Sequence, residues 1–207
     1  MANFSLKREV EVFLVHGGSR YKLDISDISF NQTFKETSFP VKTLHNQAAV
    51  FESSAITTAN PANFQFTIPA LVESDFTIVE TLLLNTNQFD LFVKNNADTY
   101  KLTGCVITNG SFGIEKSRPL SIEIQGQAQQ LQRGQTLTGS LQSRSANRTY
   151  TIPSKLTVTI NGTSISYVTS LSLELQNEIK WTPYATVNGA RSALNVGTTM
   201  YLSLIHI

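Results

Sequence analysis

The chain has 207 residues, and only 15% of them are charged, well below the roughly 25% of an average globular protein. Ser, Thr, Asn and Gln together supply 72 residues, so most of the polarity is neutral. The net charge of +1 argues against a dedicated polyphosphate binder, which carries a strong basic excess. A single cysteine, Cys105, excludes an internal disulfide framework and a cysteine-based zinc cluster. No apolar stretch is long enough to predict a membrane span.

The chain opens on a predicted β-hairpin. Apolar and polar residues alternate over residues 9–15 and again over residues 21–30, as they do in half-buried strands. Gly17 and Gly18 lie between the two runs and suit a tight turn that needs positive φ angles. Asp24 and Asp27 predict a bulge or a change of register in the second strand.

Alternation resumes after residue 63 and predicts the rest of a first β unit. The predicted strands are residues 64–69, 89–93, 100–107, 111–114 and 120–125. Asn109-Gly110 is predicted to be a turn. One helix is predicted over residues 73–84, because apolar residues recur there at helical spacing. Ser74 and Asp75 suit its N-terminus.

Residues 31–63 show no sustained period and predict a long loop. A loop of this length in a compact domain is usually functional. Phenylalanines at positions 30, 34, 39 and 51 punctuate the segment, so it is expected to dock on its own core or on a neighbouring subunit.

A Gln/Ser/Thr/Gly-rich connector follows the first unit. It carries Arg133, Arg144 and Arg148, which are consistent with an acidic neighbour or with passing nucleic acid. Three arginines make a thin basic patch, so a solvated flexible linker is the alternative. The predicted division is a first β domain at residues 1–128 and a linker at residues 129–154.

The remaining residues, 155–207, restart the opening pattern as a second β unit. A strand, an Asn161-Gly162 turn and a long second strand repeat the first hairpin, which suggests duplication. No counterpart of the helix follows, so we expect the second unit to be truncated. Residues 202–207 resemble the translated adapter sequence that ends many metagenomic gene predictions, and we expect them not to be native.

The residues that could carry chemistry are few. His16, His45 and His206 lie far apart and have no metal-ligand spacing. Cys105 lies in an apolar run and is predicted to be a buried small hydrophobe. We therefore predict no enzyme activity, no metal site and no cofactor. Many strand edges, a docking loop and tandem β units favour a self-assembling structural subunit.

Four stretches, taken in order, resemble tail tube (major tail) proteins of tailed bacteriophages. They are Ile25–Phe34, Ser38–Leu44, Asn60–Pro69 with the helix that follows, and Val168–Asn177. The similarity covers most of residues 5–190. It implies a mainly β fold, a tail-tube-type β-sandwich or half-barrel with one flanking helix (about residues 73–84) and a partial second copy.

The resemblance also implies an assembly. Subunits of this family join their inner sheets into rings, trimeric or hexameric, and the rings stack into a hollow tube in the virion tail, assembled in the host cytoplasm. Expected partners are other copies of the chain, a tape-measure protein and transiting double-stranded DNA bound without sequence specificity, and no membrane. The segment from Thr33 to Asn63 would bridge subunits. Its expected contact residues are Phe34, Phe39, Pro40, Leu44, Phe51, Asn60 and Pro61.

A DNA conduit must not hold its cargo, and phosphate binding comes chiefly from Lys and Arg. We therefore expect a neutral polar strand face to line the bore, with Ser121, Glu123 and Gln125 as its candidates. Simple exposure to solvent is the alternative for these three residues. A baseplate hub or distal tail protein that initiates the tube is the second functional interpretation. A receptor- or carbohydrate-binding β-sandwich is the third.

Overall fold

The computed structural model describes residues 10–43, 46–72, 76–85, 88–143, 149–150, 152–153, 157–165, 168–182 and 192–206. Side chains are described for these residues except 36–43, 46–57, 76–77, 84–85, 160, 204 and 206. The described part is mainly β with one short helix, as predicted. In chain order the elements are β1 (Glu11–His16), β2 (Ser19–Leu23), β3 (Asp27–Asn31), β4 (Phe34–Thr43), β5 (Asn46–Ala59), β6 (Ala62–Ile68), α1 (Phe76–Asn85), β7 (Phe89–Lys94), β8 (Thr99–Glu115), β9 (Ser121–Ala128), β10 (Gln130–Arg133), β11 (Ser140–Leu141), β12 (Val158–Ile160), β13 (Thr163–Ile165), β14 (Val168–Trp181) and β15 (Ala193–His206).

Strand β8 joins the two halves of the main sheet. Its first part, residues 99–105, pairs with β7 and β10, and its second part, residues 106–115, pairs with β9 and β14. Sheet A therefore has the order β11-β2-β1-β7-β8-β10. Sheet B has the order β3-β6-β9-β8-β14-β15. Gly104, with a φ of +58°, and a register shift between Ile107 and Asn109 mark the change from one half to the other.

Both halves and the helix contribute side chains to one hydrophobic cluster. The alternation of β6 and β9 places every second residue in it, as the period of a half-buried strand requires. Val79, Leu82 and Leu83 of α1 are buried in the same cluster. The helix was predicted at residues 73–84 and is observed at Phe76–Asn85. Ser74 and Asp75, its predicted N-terminal residues, lie outside the described residues.

The predicted second strand of the opening hairpin is two strands. β2 pairs with β1 in sheet A, whereas β3 pairs with β6 in sheet B. The chain leaves one half of the sheet and enters the other between Leu23 and Asp27. The two aspartates thus mark a change of sheet and not a bulge within one strand.

The predicted turn at Asn109-Gly110 is wrong, because β8 runs through it without interruption. A Cβ on Gly110 would lie 2.3 Å from Leu83 Cδ2, so the glycine makes room for the helix. Asn109 Nδ2 donates to Glu174 Oε1 on the neighbouring strand at 3.1 Å. Tertiary contacts therefore explain why Asn109 and Gly110 occupy these positions, and the local sequence does not reveal those contacts.

The predicted loop at residues 31–63 is in large part a β-hairpin. β4 and β5 pair with each other as a separate two-stranded sheet, which we call the arm. Their pairing has three register shifts, one of them at Pro40, which cannot donate to a ladder. In the described residues neither strand pairs with the main sheet. The segment has no sustained apolar alternation, which is why the sequence predicted a loop.

Residues of the predicted linker lie in sheet A. β10 pairs with β8, β11 runs parallel to β2, and Gln142 Nε2 donates to Ser19 Oγ at 3.0 Å. In the second β unit, β12 and β13 form a hairpin at the predicted turn, where Asn161 and Gly162 both have positive φ angles. The predicted long second strand is observed as two strands, β13 and β14, which lie in different sheets. β14 then pairs with β8, so the second unit extends the sheet of the first.

Candidate functional site

The outward side of sheet B carries a continuous polar surface, which we call the polar face. On β6 and β9 the residues of the opposite side are apolar or small and are buried, whereas Met200 and Leu202 of β15 are exposed. The polar face consists of Asp27, Ser29, Asn31, Asn63, Gln65, Thr67, Asn109, Ser111, Gly113, Ser121, Glu123, Gln125, Gln127, Ser172, Glu174, Gln176, Thr199 and Tyr201. None of these residues is Lys or Arg, but farther along β14 the exposed Lys180 and Glu178 form an ion pair, with 3.3 Å between Nζ and Oε1.

Strand register arranges the polar face in lateral rows. One row, the amide row, runs across four strands and contains Gln65, Gln125, Asn109 and Gln176. The adjacent row, the acid row, contains Asp27, Thr67, Glu123, Ser111 and Glu174. Each amide therefore lies next to a carboxylate on its own strand or on the neighbouring strand.

Hydrogen bonds connect the two rows. Glu123 Oε1 accepts from Gln65 Nε2 at 2.8 Å and from Gln125 Nε2 at 3.2 Å. Glu174 Oε1 accepts from Gln176 Nε2 at 2.8 Å and from Asn109 Nδ2 at 3.1 Å. Two carboxylates thus hold four amides by the same geometry.

One margin of the polar face ends on an aromatic side chain. Trp181 Nε1 donates to Gln127 Oε1 at 2.7 Å, and Gln127 Nε2 donates to Asn63 Oδ1 at 3.3 Å. The indole fixes which way the Gln127 amide points, because an indole nitrogen can only donate.

The structure brings the three predicted bore residues together. Ser121, Glu123 and Gln125 alternate along β9 with buried apolar residues and point to the same outward side. Their place in a bore stays a prediction. Sequence reasoning missed the second carboxylate, Glu174, and its amides, although β14 shows the same polar alternation. The alternation of β14 was visible in the sequence, but only its register with β8 shows that its polar side continues the polar face.

Six of the seven predicted contact residues in the segment 31–63 lie on the arm or at its base. Phe34 is 50% exposed at the start of β4. At the base, Asn60 Nδ2 donates to Thr33 Oγ1 at 2.9 Å, and Gln32 Nε2 donates to the Asn60 carbonyl at 2.9 Å. Pro61 is half-buried beside them. Phe39, Pro40 and Phe51 have described backbone only, and Leu44 lies outside the described residues. Their contact with another subunit stays a prediction.

Cys105 is fully buried, as predicted. Burial raises the pKa of its thiol well above the usual range, which makes the thiolate nucleophile inaccessible at neutral pH.

His16 lies at the end of β1, where its Nδ1 is 3.2 Å from the Gln88 carbonyl. Within the described ranges, no group of three His, Cys, Asp or Glu side chains could hold a metal ion. No described helix is long and apolar enough to span a membrane.

The fold and the polar face define the class of this protein. It is a mainly β protein with one short helix in its described part, and its candidate site is an extended sheet surface.

Comparison with known proteins finds a family match for part of the chain. Residues 2–85 match the sequence model of the bacteriophage baseplate tube protein family. The resemblance to phage tail tube proteins is thereby confirmed for these residues, and the family that they match is one of structural tube proteins. No curated protein matches the chain in sequence.

Two solved structures of contractile injection systems are similar to the chain in shape. One is a chain of the PVC sheath–tube complex in the extended state, with 11% identity, a TM-score of 0.44, and coverage of 62% of this chain and 89% of that one. The other is a chain of the PVC sheath/tube terminator in the extended state, with 10% identity, a TM-score of 0.46, and coverage of 64% and 99%.

Proposed function

We propose that this chain is a structural subunit of a phage-type tail tube. Copies assemble into rings, the rings stack into a hollow tube in the virion tail, and the polar face lines the bore through which double-stranded DNA passes. The tape-measure protein occupies the same bore before DNA does. The family match of residues 2–85 supports the tube assignment.

The polar face is the observation that carries the conduit function. Its named residues span strands β3, β6, β9, β8, β14 and β15 and include three carboxylates and no cation, and the exposed Lys180 of β14 lies beyond them in an ion pair with Glu178. DNA is held mainly by Lys and Arg contacts to phosphate, so a surface of this composition lets the duplex pass.

The edges of sheet B support ring formation. All neighbouring strands from β3 to β15 are antiparallel and the sheet has six of them, so its two edge strands run in opposite directions. Copies related by rotation can therefore place β15 of one beside β3 of the next as an antiparallel pair. In sheet A the β2 edge is covered by β11.

A second candidate is a baseplate hub or distal tail protein, which initiates a tube and does not extend it. The description of the matched family as a baseplate tube family favours this alternative. Such a protein forms a single ring, and it uses the same edges of sheet B.

Electron microscopy of the purified full-length chain tests the proposal. Long hollow tubes are expected for a tail tube subunit, whereas isolated rings would indicate the hub. Monomers at every concentration tested, together with binding to glycans, would contradict both and favour a carbohydrate-binding sandwich.

Hydrogen exchange on the same samples locates the contact. Assembly is expected to protect backbone amides of β3 and β15, because these edges gain partners. Strand β9 is flanked by strands on both sides and serves as the internal control. Rings that form without added protection of β3 would show that the subunits join elsewhere.

A further inference from the structure

The hydrogen bonds of the polar face have a fixed direction. A carboxylate only accepts, so the group that an amide turns toward Glu123 or Glu174 must be its NH2. This applies to Gln65 and Gln125 at Glu123, and to Asn109 and Gln176 at Glu174. The orientation of these four amides is therefore set by chemistry.

The same bonds decide what a passing phosphate meets. Phosphate oxygens also only accept hydrogen bonds, so the donors that this face could offer them are its amide N–H groups and the hydroxyls of its Ser, Thr and Tyr residues. The NH2 groups of the four amides named above each lie within hydrogen-bond distance of a carboxylate oxygen, with nitrogen-to-oxygen distances of 2.8–3.2 Å. A phosphate that approaches the amide therefore also approaches a like charge.

We propose that Glu123 and Glu174 are positioning residues that keep these four amides of the polar face from binding phosphate. This inference rests on the proposed function, because it explains how a bore rich in Asn and Gln can pass DNA. The relevant partner is an anionic polymer of phosphate esters, and its base sequence is irrelevant. The carboxylates act by accepting hydrogen bonds from the amides, in addition to repelling phosphate by their own charge.

A mutational cycle separates the hold on the amides from simple repulsion. Glu123→Met removes the charge without adding a donor and releases Gln65 and Gln125. The triple variant Glu123→Met, Gln65→Met, Gln125→Met removes the same charge together with both amides. Gln65→Met with Gln125→Met, which keeps Glu123, is the matched control. The readout is fluorescence anisotropy of a short labelled DNA duplex at low salt with the full-length chain.

We expect Glu123→Met to bind the duplex several-fold more tightly than the unchanged chain. The triple variant is expected to lose most of that gain, and the control pair is expected to bind like the unchanged chain. Equal gains in the single and triple variants would mean that charge alone acts, and would overturn the proposal. The equivalent set of Met substitutions at Glu174, Asn109 and Gln176 is expected to rank the variants in the same order of duplex affinity.

Nuclear magnetic resonance of the side-chain amides tests the hold without any DNA. The NH2 protons of Gln65 and Gln125 are expected to exchange slowly with solvent and to exchange faster in Glu123→Met. Unprotected NH2 protons in the unchanged chain would overturn the proposal whatever the assembly state. Protected amides, together with failure to form tubes or rings, would instead count against the proposed function.

Discussion

At the scale of single residues, two glycines of sheet B are needed for space and not for turns. Gly110 makes room for Leu83 of the helix. A Cβ on Gly126 would lie 2.3 Å from Phe64 Cζ and 2.4 Å from the Val106 carbonyl oxygen. One of these neighbours is a buried ring and the other is backbone, so neither can move cheaply.

Gly126→Ala is therefore expected to lower the free energy of unfolding by about 1–3 kcal/mol, the usual cost of overpacking a core. Urea unfolding of the full-length chain measures it. Gly113→Ala on the adjacent strand is the matched control, because its Cβ would meet Ser121 Oγ at 3.3 Å on an exposed surface. An equal effect of the two substitutions would contradict this account of Gly126.

The sequence indicated these glycines only as breaks in a pattern. Gly126 interrupts the alternation of β9 at a buried position, and Gly110 follows an asparagine and imitates a turn. What each glycine accommodates comes from the helix and from β6, and no local window contains those contacts. The outward side chains of β9 were predictable, since the period of two alone assigns them to one face.

At the scale of elements, β14 is attached to the first unit by a buried polar residue. Asn177 is 6% exposed, and its Nδ2 donates to the Ile107 carbonyl at 3.0 Å. Its Oδ1 accepts from Thr198 Oγ1 on β15 at 2.7 Å. This carbonyl lies at the register shift of β8, where the ladder to β9 is disturbed. Asn177 thus connects three strands at the point where regular pairing fails.

Asn177→Ala is expected to cost about 1–3 kcal/mol, because it leaves buried polar groups without partners. The loss of stability should be confined at first to the strands that Asn177 connects. Hydrogen exchange in β14 and β15 is therefore expected to rise more than exchange in β1. Gln176→Ala, one residue earlier on the exposed side, is the control and should change stability by less than about 0.5 kcal/mol. Uniform exchange across both sheets would contradict a local role.

Elements were predicted well where they border the core and poorly where they do not. β6, β7 and β9 face the core on one side, and their alternation was sufficient to find them. The arm pairs only with itself, and β10 and β11 are short strands at the margins of sheet A. Burial imposes the pattern that sequence reasoning detects, so strands held mainly by backbone pairing are missed.

At the scale of the whole molecule, ion pairs lie on both sheets, and the polar face adds a second way of carrying charge. Sheet A has ion pairs across its strands: Lys22 Nζ lies 2.6 Å from Glu11 Oε1, and Lys101 Nζ lies 2.9 Å from Asp90 Oδ2. The polar face of sheet B has carboxylates bonded to neutral amides. The few charged residues of the chain are therefore distributed as ion pairs on both sheets and as carboxylates bonded to amides on the polar face.

The Glu11 pair gives a stability that depends on pH. The hydrogen bond from Lys22 lowers the pKa of the Glu11 carboxyl below its ordinary value of 4.5. A lowered pKa stabilises the fold above the unfolded value and loses this contribution as pH falls through the folded value. Glu11→Gln is therefore expected to cost stability at neutral pH and nothing in strong acid.

The expected cost is small, at most about 1 kcal/mol, since both partners are more than a third exposed. Urea unfolding of the unchanged chain and of Glu11→Gln at about pH 7 and about pH 3 measures the difference. If the difference in unfolding free energy between the unchanged chain and Glu11→Gln were larger at low pH, Lys22 would not act through the ionised carboxyl.

Strand β8 also sets an order of events during synthesis. β14 has partners on only two strands, β8 and β15, so the second β unit cannot complete its sheet until β8 is in place. A ribosome releases β8 well before β14, and domains generally form as they emerge. The folded first unit can thus provide the strand edge with which the second unit pairs. Slow folding of the first unit would then delay folding of the second.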